Sequence, residues 1–290
     1  MSPILSRKLS LLAIALPMLA GCIEWDHQEV RYRYDAKADR LRIFQNYEGI
    51  YGADKKDSLS SSERSQLKSV LAGGRTFFFA NWIVEINLPE VKGAVHDLRF
   101  KGTDSVAEDE LNRALSEMQE SLVKNCTIEN GSFYLNSKGQ LSAVQTVEIR
   151  NWSKLLPLVE KTLGLFYKHS AQNDEADADQ VAHYERVRQG WKFFNIKGNA
   201  FEAKFPGTQA EFDKTFSADG RKKMKEAGIH VSCENDTIVL RFGKSGDTIT
   251  KLAMGPFQKS YRANLHEQLK GKQPIEETLD VEKAAKKFLR

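Results

Sequence analysis

The chain has 290 residues, 41% of them hydrophobic and 28% charged, which is the make-up of a folded globular protein and excludes a disordered or low-complexity chain. That length allows one large domain or two ordinary ones. The formal net charge of +4 falls by two without Arg7 and Lys8, and so balanced a body excludes a dedicated nucleic-acid binder.

Arg7 and Lys8 form a short positive region ahead of an apolar stretch over residues 9–20, broken only by Ser10 and Pro17. A spanning helix needs roughly 20 apolar residues, so this shorter stretch reads as a signal-peptide core, not a permanent anchor. No acidic residue precedes Glu24, which suits insertion with the positive end inside. Leu19-Ala20-Gly21-Cys22 follows, an aliphatic residue, two small residues and a cysteine. These 22 residues resemble the signal of bacterial lipoproteins. The resemblance implies cleavage between Gly21 and Cys22, lipidation of the Cys22 thiol, acylation of the new amino group, and a body held on a membrane outside the cytoplasm. Several acyl chains make a stable anchor where one is marginal. The residue after the cysteine is Ile23 and not aspartate, which by the same resemblance implies outer-membrane sorting, facing the periplasm, in a host with two membranes. The other reading is an ordinary secretory signal with Cys22 in a disulfide. Residues 22–27 read as a short lipidated tether of at most about 18 Å, with Trp25 at the membrane interface.

Beyond the tether, residues 28–35 alternate, with Val30, Tyr32 and Tyr34 on one face and Arg31 and Arg33 on the other. After a polar turn the alternation resumes through Leu41, Ile43 and Gln45, predicting a β-hairpin. Ser60 and Glu63 form a capping box ahead of Leu67, Val70 and Leu71, and that helix stops at Gly73-Gly74. Residues 76–88, rich in aromatic and β-branched side chains, read as a buried strand. A second capping box, Ser105 with Glu108, opens a helix through Leu111, Leu115, Met118 and Leu122. Residues 127–150 read as an antiparallel meander with turns at Asn130-Gly131 and Lys138-Gly139. Asn151 or Ser153 caps the next helix, whose first turns tolerate Pro157.

The acidic stretch 172–180 has no large apolar residue and reads as an exposed loop or boundary between two units, 28–171 and 181–290. After it come a helix through Val181, Tyr184 and Val187, a hairpin around Gly198-Asn199, and a third capping box at Thr208 and Glu211. A basic helix at 221–227, two strands around Asn235-Asp236, a strand at 248–254, and a helical tail broken near Pro274 complete the chain. Cys126 with residues 129–135 parallels Cys233 with residues 234–240, so the two units are either related halves or alike by chance. Helices mixed with antiparallel strands, without regular βαβ alternation, predict an α+β fold.

Familiar chemistry is absent. Gly243-Lys244-Ser245 lacks the earlier glycine of a phosphate loop, since Ile238 stands there. The histidines (His27, His96, His169, His183, His230, His266) contain no zinc-protease spacing, and no Gly-x-Ser-x-Gly elbow occurs. Runs such as Glu108-Asp109-Glu110 and Asp174-Glu175 read as solvated faces, and they lack the spacing of a calcium loop. The sequons at Asn125, Asn151 and Asn235 read as coincidence. Cys126 and Cys233 either pair or sit as separate buried thiols. Basic clusters at 221–225 and 283–290 read as solvated helix faces, and Phe77-Phe78-Phe79 with Trp82 as core. No cofactor, metal or nucleic acid is expected. The reading is a membrane-anchored, non-catalytic module that binds an envelope protein, a polymer or a small ligand, with an enzyme of unfamiliar site as the alternative.

Overall fold

The computed structural model describes residues 23–76, 86–94, 105–172, 176–255 and 261–290, with the backbone alone at 105–108 and 254. Cys22, Gly21 and the rest of the signal lie outside the described residues, as do Phe77-Phe78-Phe79, Trp82, His96 and Asp174-Glu175. Among the described residues, nine helices and thirteen strands form three mostly antiparallel sheets, the expected α+β class.

The chain enters through β1 (Ile23–Glu24) and the hairpin of β2 (His27–Asp35) and β3 (Arg40–Glu48), as the alternation predicts. After β4 (Tyr51–Gly52), α1 (Ser61–Leu71) begins at the predicted capping box: Ser60 Oγ accepts the Glu63 N–H, and Glu63 accepts the Ser60 N–H. Of the apolar run at 76–88 only its ends are described, where Arg75 bridges Asn87 ahead of α2 (Leu88–Ala94). Next come α3 (Ser105–Asn125), β5 (Cys126–Leu135), β6 (Leu141–Arg150) and α4 (Trp152–Ala171).

In this stretch Asn130-Gly131 is not a turn. β5 runs straight through it with a bulge between Asn130 and Phe133. A Cβ at Gly131 would meet Val144 Cγ2 at 2.5 Å, so glycine lets the bulged strand lie against β6. The start of α4 also differs. Asn151 adopts φ 52° and makes no side-chain cap, and the cap is supplied by Asp39 from the β2–β3 turn.

Then follow α5 (Ala178–Val187), the hairpin β7 (Phe194–Lys197) and β8 (Ala200–Pro206), α6 (Gln209–Thr215), α7 (Ala218–Glu226), β9 (Ile229–Cys233) and β10 (Thr237–Phe242). The Thr208–Glu211 box caps α6 as predicted. Asn235-Asp236 does form a hairpin turn, so the two similar segments fold differently at this point. The chain ends with β11 (Thr250–Met254), β12 (Ala263–Asn264), α8 (Leu265–Leu269), β13 (Ile275–Glu276) and α9 (Val281–Leu289).

The main sheet has the order β11-β2-β3-β6-β5-β13, and the smaller one β7-β8-β10-β9. Strands and a helix from beyond the acidic stretch complete the sheet begun before it: β11 pairs with β2, and β13 with β5. The stretch at 172–180 is therefore not a boundary that sheet pairing respects. One face of the main sheet carries two apolar clusters, one around Trp25, Tyr47, Val70 and Leu265 and the other around Val30, Ile43, Leu115 and Val147. Between them a row of amides crosses the sheet in register, with buried Gln45 opposite buried Gln145 and Gln145 opposite the more exposed Asn130. Gln145 Nε2 donates to Asn130 Oδ1 and to the Arg75 carbonyl, and Gln45 Oε1 accepts from Gln28 Nε2 and the Tyr47 hydroxyl, so most of this row's polar groups find partners inside the fold, while Gln45 Nε2 has none among the described residues. The other face is covered by α9, whose Ala285 and Leu289 pack on Phe44, Tyr134 and Val144. Arg31 on that face is buried and bonds Glu282 and Glu29, and Arg33 donates to the Leu289 and Arg290 carbonyls.

Candidate functional site

The N-terminal edge is where lipid would join the body. The expected tether is no tether, since from Ile23 onward the chain is part of the fold. Ile23 is fully buried, and its N–H donates to Gln66 Oε1 at 2.8 Å. β1 pairs with β4, and β4 with β12. Trp25, expected at the membrane interface, is also fully buried, edge-on to Tyr47 with ring centroids 5.2 Å apart. Burial of an indole removes far more apolar area from water than an exposed interfacial position would. Arg262 then closes the edge, donating to both Asp26 oxygens at 2.8 and 2.7 Å and lying 4.0 Å from the Tyr51 ring centroid. Among the described residues no helix is long and apolar enough to cross a membrane.

A cavity of about 190 Å³ opens between the main and smaller sheets. The main sheet contributes Val30, Tyr32 and Tyr34 from β2, Leu41 and Ile43 from β3, and Leu252 from β11. The smaller sheet contributes Ile196, Ala200, Phe201 and Phe242, and Trp152 at the start of α4 adds to the lining. Tyr32, Tyr34, Trp152, Phe201 and Phe242 are each only half-buried, so the cavity is reachable from solvent. Period-two alternation explains the apolar walls, because alternate residues of β2 and β3 face the same way.

The walls are held by one buried amide. Asn199, at the tip of the β7–β8 hairpin, accepts the Tyr34 N–H on Oδ1 at 2.7 Å, and its Nδ2 donates to the carbonyls of Asp247 and Thr248, each at 2.8 Å. Its own carbonyl accepts the Tyr32 hydroxyl at 2.8 Å. Burial pushes the Tyr32 phenol above its ordinary pKa, which keeps it a donor at neutral pH. The preceding Gly198 has φ +59°, and a Cβ there would meet the Ser245 carbonyl oxygen at 2.4 Å. The hairpin tip can therefore pack against the 245–248 loop only with glycine at this position.

Cys126 and Cys233 are both free thiols, and the pairing left open by the sequence is not made. They belong to different places in the fold. Cys126 starts β5 in the cluster under α3, and Cys233 ends β9 on the smaller sheet, its Sγ 3.6 Å from the Gly207 carbonyl oxygen. Burial pushes the Cys126 thiol up to about 12, which makes it a core residue and a poor nucleophile.

The described histidines are dispersed over β2, α4, α5, β9 and α8. His183 comes nearest to a constellation, with Nε2 3.1 Å from Glu211 Oε2 and its ring edge-on to Tyr167. That same carboxylate oxygen already accepts the Thr208 N–H of the capping box, so the contact ties α5 to α6. Among the described residues no group of three His, Cys, Asp or Glu side chains is arranged to hold a metal ion. Of the basic clusters, Arg221 is engaged with Asp213 and Phe212 and Lys223 with Asp219, whereas Lys283, Lys286, Lys287 and Arg290 form an exposed stripe on α9. The cavity was missed by sequence reading because its lining comes from seven separate elements. No protein family, curated protein or solved structure matches this chain.

Proposed function

We propose that this protein is a lipid-anchored, extracytoplasmic binding module, attached through Cys22 to a membrane that in a two-membrane host is the outer one, on its periplasmic side. The reading is carried by one juxtaposition: the lipoprotein-like Leu19-Ala20-Gly21-Cys22 ends one residue before Ile23, which is buried and hydrogen-bonded in the fold. A cut before Cys22 leaves every described element intact, and acyl chains on Cys22 bring the β1–β4–β12 edge to the headgroups. Binding, in preference to catalysis, is supported by the lining of the inter-sheet cavity, which includes no histidine, acidic residue or lysine. Its bound partner is an envelope protein, a polymer or a small ligand. Anchoring raises the effective concentration of such a module at the surface where it acts.

The test is metabolic acyl labelling and membrane fractionation of the full chain and of Cys22→Ser. Loss of label together with release from the membrane is the expected result. Undiminished labelling of the variant overturns the anchor, and a reaction traced to a described residue outside the cavity overturns the non-catalytic reading.

A further inference from the structure

We infer that the cavity between the two sheets is a binding site for a small, neutral aromatic ligand, a molecule presenting one unsubstituted or lightly substituted ring. Three observations support this assignment, and none depends on lipidation.

The first is size. At about 190 Å³ the cavity exceeds the roughly 150 Å³ at which a cavity lined by aliphatic and aromatic side chains stays dry and takes up benzene. The second is that the nearby polar groups are already used. The Tyr32 hydroxyl donates to the Asn199 carbonyl, and the Asn199 amide is taken up by Tyr34, Asp247 and Thr248. Water entering the space finds few of the two to four partners it needs, so an apolar occupant displaces it readily. The third is that the gap is pre-formed. The same Asn199 bonds fix the hairpin at its tip, and the close approach of Gly198 to the Ser245 carbonyl fixes it from the other side. The walls therefore stand apart without a ligand, and a ligand does not have to pay for ordering them.

An aromatic occupant is favoured over an aliphatic one by the rings around the cavity. Tyr32, Tyr34, Trp152 and Phe201 border it, and Phe242 meets Phe201 with centroids 5.7 Å apart at 60°. A flat ring joins such a set by edge-to-face and offset contacts that a puckered aliphatic ring of the same size lacks. The absence of charged lining residues argues for a neutral ligand, since a charge there would lose its hydration without a partner.

The test uses the full chain in phosphatidylcholine nanodiscs with isoleucine methyl labels. Benzene and cyclohexane are supplied through the vapour phase, which fixes their activity whatever the lipid absorbs. Benzene is expected to give saturable ring-current shifts at Ile43 and Ile196, with Ile23 and Ile238 in other clusters unmoved. Cyclohexane at equal activity is expected to bind more weakly, and Ala200→Phe, which fills the space, to abolish the benzene response. If Ala200→Phe displaces the Ile23 and Ile238 signals and so perturbs the fold, Ile196→Phe on the edge strand β7 replaces it, read at Ile43. Shifts that rise linearly and equally at every isoleucine would overturn the site, and cyclohexane binding as tightly as benzene would overturn its aromatic preference.

Discussion

Asp39 and Ser153 join the tip of the first hairpin to the start of the fourth helix: Asp39 Oδ1 accepts the Ser153 N–H at 2.9 Å, and Oδ2 accepts the Ser153 hydroxyl at 2.8 Å. Asp39 does for α4 what an N-cap residue normally does for its own helix, because Asn151 in the cap position is left-handed and bonds elsewhere. Asp39→Ala should destabilise the protein by about 1–2 kcal/mol, while Asp39→Asn, which keeps an acceptor and tolerates the positive φ of this position, should retain most of the stability. Urea unfolding at unchanged m-value measures both, and equal midpoints for the two variants would refute the cap.

Asn199 holds together the hairpin tip, β2 and the 247–248 loop. Truncating it leaves a backbone donor and two carbonyls without their partner, so Asn199→Ala should cost about 2–3 kcal/mol. Hydrogen exchange should locate the loss: the Tyr34 amide should exchange faster, with the amides of β5 and β6 little changed. Uniform acceleration across all three would mean that Asn199 acts on global stability alone.

The two thiols should differ in reactivity. Cys126 is 7% exposed, with its thiol pushed up to about 12, while Cys233 is half-buried at a strand end. Iodoacetamide at about pH 8 should modify Cys233 first and reach Cys126 only after unfolding. Peptide mapping under non-reducing conditions reads the result. A peptide joining the two would contradict the free thiols, and faster labelling of Cys126 would contradict the burial.

Acid should expose the Arg241 network. The Arg241 guanidinium donates to both Glu234 oxygens at 2.8 and 3.2 Å and to Glu202 at 2.7 Å. With help from the Ser232 hydroxyl it holds the Glu234 carboxyl at about 2, below the ordinary 4.5. A carboxyl more acidic in the folded chain stabilises it above the unfolded pKa, and that contribution is lost as pH falls through the folded one. The window is therefore about 4.5 down to about 2. Arg241→Gln should flatten the fall of Tm across this window and leave its shape above pH 5 unchanged. An identical acid limb in the variant would show that the pairing contributes nothing, as many exposed ion pairs do.

The sequence is readable where structure is decided within a few residues. Ser60 with Glu63 and Thr208 with Glu211 start helices where their spacing predicts, because donor and acceptor lie three residues apart. Asp177 with Gln180 makes a further capping box of the same form, hidden within a stretch read only for its acidity. What the sequence does not reveal depends on distant partners. Asn130-Gly131 and Asn235-Asp236 look alike, but Val144 lies against the first on the neighbouring strand, and the first becomes a bulge and the second a turn. Trp25 looks like an interfacial residue until Tyr47 and the cluster around Leu67 and Leu265 are assembled over it. The cavity is of the same kind. Its residues read correctly as strand faces, but nothing local says that β2 and the β7–β8 hairpin stand opposite each other.

The closure of the main sheet also sets an order of events. β2 is among the first segments of the body, yet one of its two neighbours, β11, spans Thr250–Met254, and α9, which covers its outer face, reaches Leu289. Until those residues have been delivered, β2 presents an open edge and Phe44, Tyr134 and Val144 stay uncovered. Pairing across more than two hundred residues is slow to form, and an open edge invites aggregation in the interval. A chain emerging from its N-terminus therefore completes and covers this sheet only once Leu289 has followed, and removal of residues 279–290 should leave a sticky, unfinished body instead of a slightly smaller one.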